Sequence, residues 1–311
     1  MAQLLFTLSS GRRIGVTGHG NPVGSHVVVF CHPAPGSSVF DPDPVASADH
    51  DARIIAIDRP GYGSSDPLPD GTWPTVAGMA EDISEYLHSV DNIANGLGNR
   101  TVKSFDVIGW SAGGRVALAL AARHPDLVDR IVVIGTPAPH DEVPWIPEQF
   151  AEQSRQLAKL SARDALDQLG DALRRQHGGR LPGSDGGPVP LGELGVSEVD
   201  APVLQRPGAR DRLETMVRDA YRQGTVGVAT DILSYTARPW GFDLNRVRAK
   251  TLLVYGQDDP VVGTAHAEWY AAHLADAAVL PVPKAGHLVA IGQWDRALDF
   301  AEQRQIGDRP E

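Results

Sequence analysis

Short runs of apolar, mostly β-branched residues recur along the chain, with longer stretches of helical periodicity between them. Residues 27–31, 53–58, 105–110, 130–135, 251–256 and 278–282 read as strands. The segment 14–16, after the turn residues Ser9, Ser10 and Gly11, predicts an N-terminal hairpin. In 27–31 and 131–134 the apolar run is continuous rather than alternating, which fits strands covered on both faces, as in a parallel sheet. Helices are predicted at about 75–90, 112–123, 262–275 and 290–304. Strand–helix alternation of this kind implies right-handed crossovers and an α/β fold with a doubly wound, mostly parallel sheet.

The alternation breaks once, between the strands at 130–135 and 251–256. Helical pattern covers about 147–176 and 209–237. The intervening 177–208 is rich in glycine and proline, with Gly178-Gly179, Pro182-Gly183 and Gly186-Gly187-Pro188, which predicts a mobile loop that moves to admit substrate. The chain therefore divides into a core of 1–136 and 246–311 and a helical cap or lid of 137–245. There is no internal repeat, and the terminal 308–311 is expected to fray.

At 311 residues and 42% hydrophobic, the chain has ample material for a core. Its net charge of −11 argues against nucleic acid or an anionic membrane surface as the main partner. The longest apolar run, 116–122, falls far short of the ~18 residues of a membrane helix. The N-terminus lacks the basic and apolar regions of a signal peptide, so a cytoplasmic protein is expected. The single cysteine, Cys31, excludes an internal disulfide and a cysteine-based zinc cluster, and its place in an apolar run reads as a small buried hydrophobe.

Candidate chemistry centres on Gly109-Trp110-Ser111-Ala112-Gly113, between a predicted strand and a predicted helix. That is the context a G-x-S-x-G nucleophile elbow requires. A strand turning directly into a helix leaves Ser111 at the apex, and the two arms pass so closely that only small residues fit beside it. Gly109, Gly113 and Gly114 meet that need. A serine hydroxyl needs a base, and in elbow enzymes the order along the chain is serine, acid, histidine. His287, in a loop just beyond the strand at 278–282, is the expected base. His266 and His273, seven apart in a predicted helix, are expected on one surface face. The acid falls in Gly256-Gln257-Asp258-Asp259-Pro260, with Asp259 preferred, Asp258 able to cap the turn, and Asp141 or Glu142 lesser candidates.

An oxyanion hole needs two fixed N–H donors, each worth roughly 3 kcal/mol in the transition state. One is expected from Ala112, after the nucleophile. The other comes from the loop after the first central strand, where Pro33 and Pro35 carry no N–H, so that within 33–35 only Ala34 can donate. His32 reads as a structural loop residue. Trp110, Leu288, Trp145 and Trp240 are expected to bind substrate, with Phe150, Phe242 and Val289 as further candidates for the pocket wall.

Four segments together resemble the α/β-hydrolase superfamily, in its serine-nucleophile, helical-cap branch. They are His32-Pro33-Ala34-Pro35-Gly36, Asp58-Arg59-Pro60-Gly61-Tyr62-Gly63-Ser64-Ser65, Gly109–Gly114, and Gly256-Gln257-Asp258-Asp259 with Gly286-His287. Pro33 stands where the family's oxyanion loop usually has glycine. The resemblance places the acid three residues after the strand-ending glycine, at Asp259, and makes the 58–65 segment mainly structural. It implies a cofactor-free, metal-free serine hydrolase acting on a small-molecule acyl substrate, most simply an ester. Thioesterase, lactonase, C–C bond hydrolase, perhydrolase and proline aminopeptidase activities use the same triad. Serine at the elbow disfavours the aspartate chemistry of dehalogenases and epoxide hydrolases. A non-catalytic ligand-binding protein on the same scaffold is the alternative of another class.

Overall fold

The computed structural model describes residues 3–89, 104–183 and 189–303. Eight strands, β1 (Leu4–Thr7), β2 (Arg13–Gly20), β3 (His26–Cys31), β4 (Ala52–Ile57), β5 (Phe105–Trp110), β6 (Val128–Ile134), β7 (Lys250–Gly256) and β8 (Ala277–Val282), form one sheet in the order β1-β2-β4-β3-β5-β6-β7-β8. β1 and β2 are antiparallel, joined through Gly11 at φ 83°, and every pairing from β4 to β8 is parallel. The helices are α1 (Pro44–Asp49), α2 (Val76–His88), α3 (Ala112–Arg123), α4 (Glu148–Leu157), α5 (Ala162–Gln176), α6 (Ala201–Leu204), α7 (Ala209–Ala220), α8 (Val226–Thr236), α9 (Thr264–His273), α10 (Val289–Gly292) and α11 (Trp294–Glu302).

The central strands are buried on both faces because their side chains alternate between two cores. Val29, Cys31, Phe105, Val107, Ile131, Val133 and Leu253 meet residues of α2, α3 and α9 on one side. Val28, Phe30, Ile108, Trp110, Val132, Ile134 and Val254 meet α10 and α11 on the other. Burial of this kind accounts for the continuous apolar runs. It also pushes the Cys31 thiol up to about 12, so this cysteine is an inert packing group.

Several sequence expectations need correction. The predicted helix over 147–176 is two, because Ser161 caps a new start by accepting a hydrogen bond from Asp164 N. The stretch 209–237 is also two, interrupted by Gly224 at φ 84°. The pattern near 290–304 contains α10 and α11, with its last residue outside those described. α1, capped by the Asp43 carboxylate, was too short for its periodicity to register. The 177–208 stretch holds 3₁₀ turns at Leu191–Leu194 and Glu198–Asp200 as well as α6. Its Gly186-Gly187-Pro188, residue 90 of the helix predicted at 75–90, and the terminal 308–311 lie outside the described residues. No helix among the described residues is long and apolar enough to cross a membrane.

Candidate active site

The loops at the C-terminal ends of β5, β7 and β8 deliver Ser111, Asp259 and His287, as expected for a sheet of this kind. After β5 the chain turns at Ser111, whose backbone lies at φ 54°, ψ −121° and which precedes α3 directly. This is a strained conformation for a residue with a side chain. The glycines around it are there for close approach. A Cβ on Gly109 would lie 2.5 Å from Gly114 Cα, and one on Gly113 would overlap the Cys31 carbonyl. A Cβ on Gly114 would overlap the Thr136 hydroxyl, which itself donates to Ser111 O at 2.9 Å.

His287 follows β8 and Asp259 follows β7. Ser111 Oγ lies 3.0 Å from His287 Nε2, and His287 Nδ1 lies 2.7 Å from Asp259 Oδ2. With Nδ1–H donating to the carboxylate, Nε2 is left to accept the serine proton. The other carboxylate oxygen accepts from Val261 N at 2.8 Å and Val262 N at 3.0 Å, which fixes the carboxylate plane. Asp259 and His287 are buried, whereas Asp258, Asp141 and Glu142 are exposed. Gly135 lies beneath the imidazole, 3.5 Å from its ring if given a Cβ.

The loop after β3 is held by a buried ionic network. Arg59 Nε donates to Asp231 Oδ1 at 2.9 Å and Nη2 to Asp231 Oδ2 at 2.5 Å, while Tyr62 OH donates to the same oxygen at 3.0 Å. Arg59 also donates to His32 O and Pro33 O, and His32 Nδ1 donates to Pro33 O at 2.8 Å. Because a trans amide is planar, fixing the Pro33 carbonyl turns the N–H of Ala34 the opposite way. Ala34 and Ala112 both line the pocket at Ser111, and neither N–H has an acceptor among the described residues. Burial, then the Arg59 charge, pushes His32 well below the usual imidazole range. It is therefore a neutral strut, with Nε2 accepting from Arg59 N at 3.3 Å. Burial lowers the Arg59 guanidinium, but the Asp231 charge more than reverses this.

The pocket above Ser111 has a volume of about 570 Å³ and a mostly apolar wall drawn from β-strand loops and from α4, α5 and α8. Trp145 and Phe150 line it. The expectation fails for Trp110 and Leu288, which are fully buried and outside the wall. Trp110 points into the core and donates through Nε1 to His287 O at 3.1 Å. Leu288 N donates to Asp200 Oδ1 at 3.0 Å, which ties the His287 loop to the segment after β6. Trp240 and Phe242 stack on each other and line a neighbouring cleft instead. Val289 is buried in the core.

His266 is likewise not at the surface. It is buried, and its Nδ1 accepts from Ala138 N at 3.1 Å, with burial and then the Arg115 charge lowering it to about 4. His273 is exposed and stacks on Trp269. The two share a helix face, but the first turn of α9 is packed against the β6 loop while the last turn reaches solvent.

Sequence reasoning placed Arg59 in a structural segment without its partner, and missed Asp231, Asp200 and Arg115. Only Arg115 had a clear signal, as a charged residue in the otherwise apolar helix 112–122. It is 2% exposed, and its Nε and Nη2 have no hydrogen-bond partner. Its Cζ lies 4.3 Å from the Tyr235 ring centroid and 5.4 Å from those of Trp145 and Trp240, contacts that each offset about 1 kcal/mol of burial cost. Among the described residues, no group of three or more His, Cys, Asp or Glu side chains is placed to hold a metal ion.

Comparison with known proteins bears on the fold and its family. The alpha/beta hydrolase fold family model matches residues 26–292. A pimeloyl-[acyl-carrier protein] methyl ester esterase of Aromatoleum aromaticum is 29% identical over 58% of this chain and 66% of its own length, just under two thirds. A 2-hydroxy-6-oxononadienedioate/2-hydroxy-6-oxononatrienedioate hydrolase of Paraburkholderia phymatum is 24% identical over 82% of this chain and 78% of that protein. A thermophilic esterase from Thermogutta terrifontis has the same fold, with a TM-score of 0.64 and 21% identity over 96% of each chain. With the family model spanning most of its length, the chain belongs to the α/β-hydrolase fold family.

Proposed function

We propose that this α/β-fold hydrolase cleaves an ester-type acyl bond of a small molecule through Ser111, His287 and Asp259. Ser111 Oγ attacks the carbonyl carbon while His287 Nε2 takes its proton. The negative charge that develops on the carbonyl oxygen meets the N–H groups of Ala34 and Ala112. The tetrahedral intermediate collapses as His287 returns the proton to the leaving alcohol, leaving an acyl-serine. Water then gives a proton to His287 and its oxygen to the acyl carbon. The second tetrahedral intermediate collapses as His287 returns that proton to Ser111 Oγ, the bond from Oγ to the acyl carbon breaks and the acid departs. Asp259 holds the imidazole tautomer and stabilises the imidazolium. The residues 137–245 act as the cap that closes the pocket over the acyl group, and the enzyme works without cofactor in the cytoplasm.

The observation that supports this reading is the continuous relay of 3.0 and 2.7 Å contacts from Ser111 through His287 to Asp259, assembled from three separate loops. The esterase relatives support the bond type. A fluorophosphonate should add once per chain, on Ser111, and Ser111→Ala or His287→Ala should abolish both labelling and turnover of a short activated ester. A folded wild-type protein that takes no label would overturn the proposal. The Paraburkholderia relative favours one second reading, C–C bond hydrolysis of an oxo-acid by the same groups. A panel of esters, thioesters, lactones and vinylogous diketo acids separates the two.

A further inference from the structure

Arg115 stands between the catalytic pocket and its neighbouring cleft and lines both. It is 2% exposed, and Nε and Nη2, the two nitrogens along one edge of the guanidinium, are buried without a hydrogen-bond partner. Those parallel N–H bonds match the two oxygens of a carboxylate. The indole Nε1 of Trp145, on the wall of the same pocket, is also buried without a partner. Protein carboxylates do not fill the gap. Asp141 and Asp243 line the adjoining cleft, yet no ion pair with Arg115 forms among the described residues. A buried cation with a free two-nitrogen edge is costly unless something completes it.

We propose that Arg115, with Trp145, recognises a carboxylate on the acyl portion of the substrate, so that the pocket selects acyl esters bearing a free acid group. Half-esters of short dicarboxylic acids are the simplest such class. Arg115 is four residues from Ser111, a rise of ~6 Å along α3, and helical side chains lean toward the N-terminus. Its charged edge is therefore near the nucleophile, within reach of the far end of a short acyl chain whose carbonyl sits at Ser111. The rings of Trp145, Tyr235 and Trp240 around the guanidinium hold it in place and exclude water. The proposal rests on Ser111 as nucleophile only for which bond is cut.

The test compares 4-nitrophenyl half-esters of succinate, glutarate and adipate with 4-nitrophenyl esters of neutral acyl chains of equal length. Wild type should favour the best acid ester over its neutral match in kcat/KM by about 30-fold or more. Arg115→Met should bring that ratio to about one, chiefly through KM. A structural role alone would lower both esters alike and leave the ratio intact, and that result, or a wild-type ratio near one, overturns the proposal. Should Arg115→Met not fold, Arg115→Lys keeps the charge but loses the paired edge, and its ratio should fall about 10-fold; an unchanged ratio overturns it. If wild type cuts no ester and takes no fluorophosphonate, the hydrolase reading fails instead. Calorimetry with adipate then decides: binding by wild type that Arg115→Met abolishes supports the site, and no binding by wild type overturns it.

Discussion

Replacing Asp231 with alanine strips a buried guanidinium of its counter-ion. Arg59 and Asp231 are each about 3% exposed at the side chain, and Asp231 is on α8 while Arg59 follows β4. Removing one member of such a pair typically costs about 3–5 kcal/mol. At about 2.1 cal/mol/K of unfolding entropy per residue, 311 residues lose about 1.5 °C for each kcal/mol, so Tm should fall by about 5–8 °C. The same change reaches the chemistry. Arg59 freed from Asp231 no longer holds Pro33 O in one direction, and the Ala34 N–H that shares that amide plane loses its aim. Deleting an oxyanion donor outright costs about 10²–10³ in kcat, so loosening one should cost about 10-fold, in kcat rather than KM. Differential scanning calorimetry and steady-state ester hydrolysis read the two effects. The double variant Arg59→Met with Asp231→Leu separates them. An apolar pair in place of an ion pair should recover most of the Tm, while kcat stays depressed. Full recovery of kcat in the double variant, or an Asp231→Ala protein within 2 °C of the parent, would refute the argument.

Three further expectations follow from the geometry. Asp259→Asn should lower ester turnover by up to about 10⁴-fold, as for a misoriented base, while Asp258→Asn, whose parent side chain is exposed, should stay near parental activity in the same assay. Gly113→Ala should cost about 3 kcal/mol or more in a urea titration, because its Cβ overlaps the Cys31 and His32 carbonyls and backbone gives way poorly; a change under 1 kcal/mol would contradict the close-approach account. Burial, aided by nearby Asp129, raises the Asp106 carboxyl to about 8, against ~3.9 in the unfolded chain. Its contribution to stability is therefore full below about pH 4 and is lost as pH rises toward 8. The Tm advantage of Asp106→Asn over the parent should accordingly widen with rising pH across that window, and a constant difference would tell against it.

Much of the sheet was legible because a strand covered on both faces must be apolar at successive positions, as in Val28, Val29 and Phe30. The elbow was legible for a different reason: Gly109 lets the strand arm pass Gly113 and Gly114 of the helix arm, a local demand that marks the turn, although Gly113 and Gly114 also make room for the Cys31 carbonyl and the Thr136 hydroxyl. Asp259 could be told from Asp258 only through the family's spacing, and the structure brings the former to His287. Groups whose place depends on tertiary neighbours were not legible. Trp110 and Leu288 flank Ser111 and His287 in sequence, yet strand alternation and loop direction carry them into the core. Arg59 finds its partner 172 residues away, a pairing that no local pattern announces.

The Asp200 carboxylate offers a last lesson. It lies wholly buried beneath the loop that carries the proton acceptor, taking Leu288 N at 3.0 Å, and Gly195 rests against the imidazole itself, where a Cβ would sit 3.2 Å from the ring. Both belong to the long excursion between the sixth and seventh strands. A graft that exchanged this excursion for a homologue's, in the hope of altering only what fits inside, would also unseat the base. Swaps at this junction should therefore carry Asp200 and Gly195 across intact, or accept that selectivity and proton transfer change together.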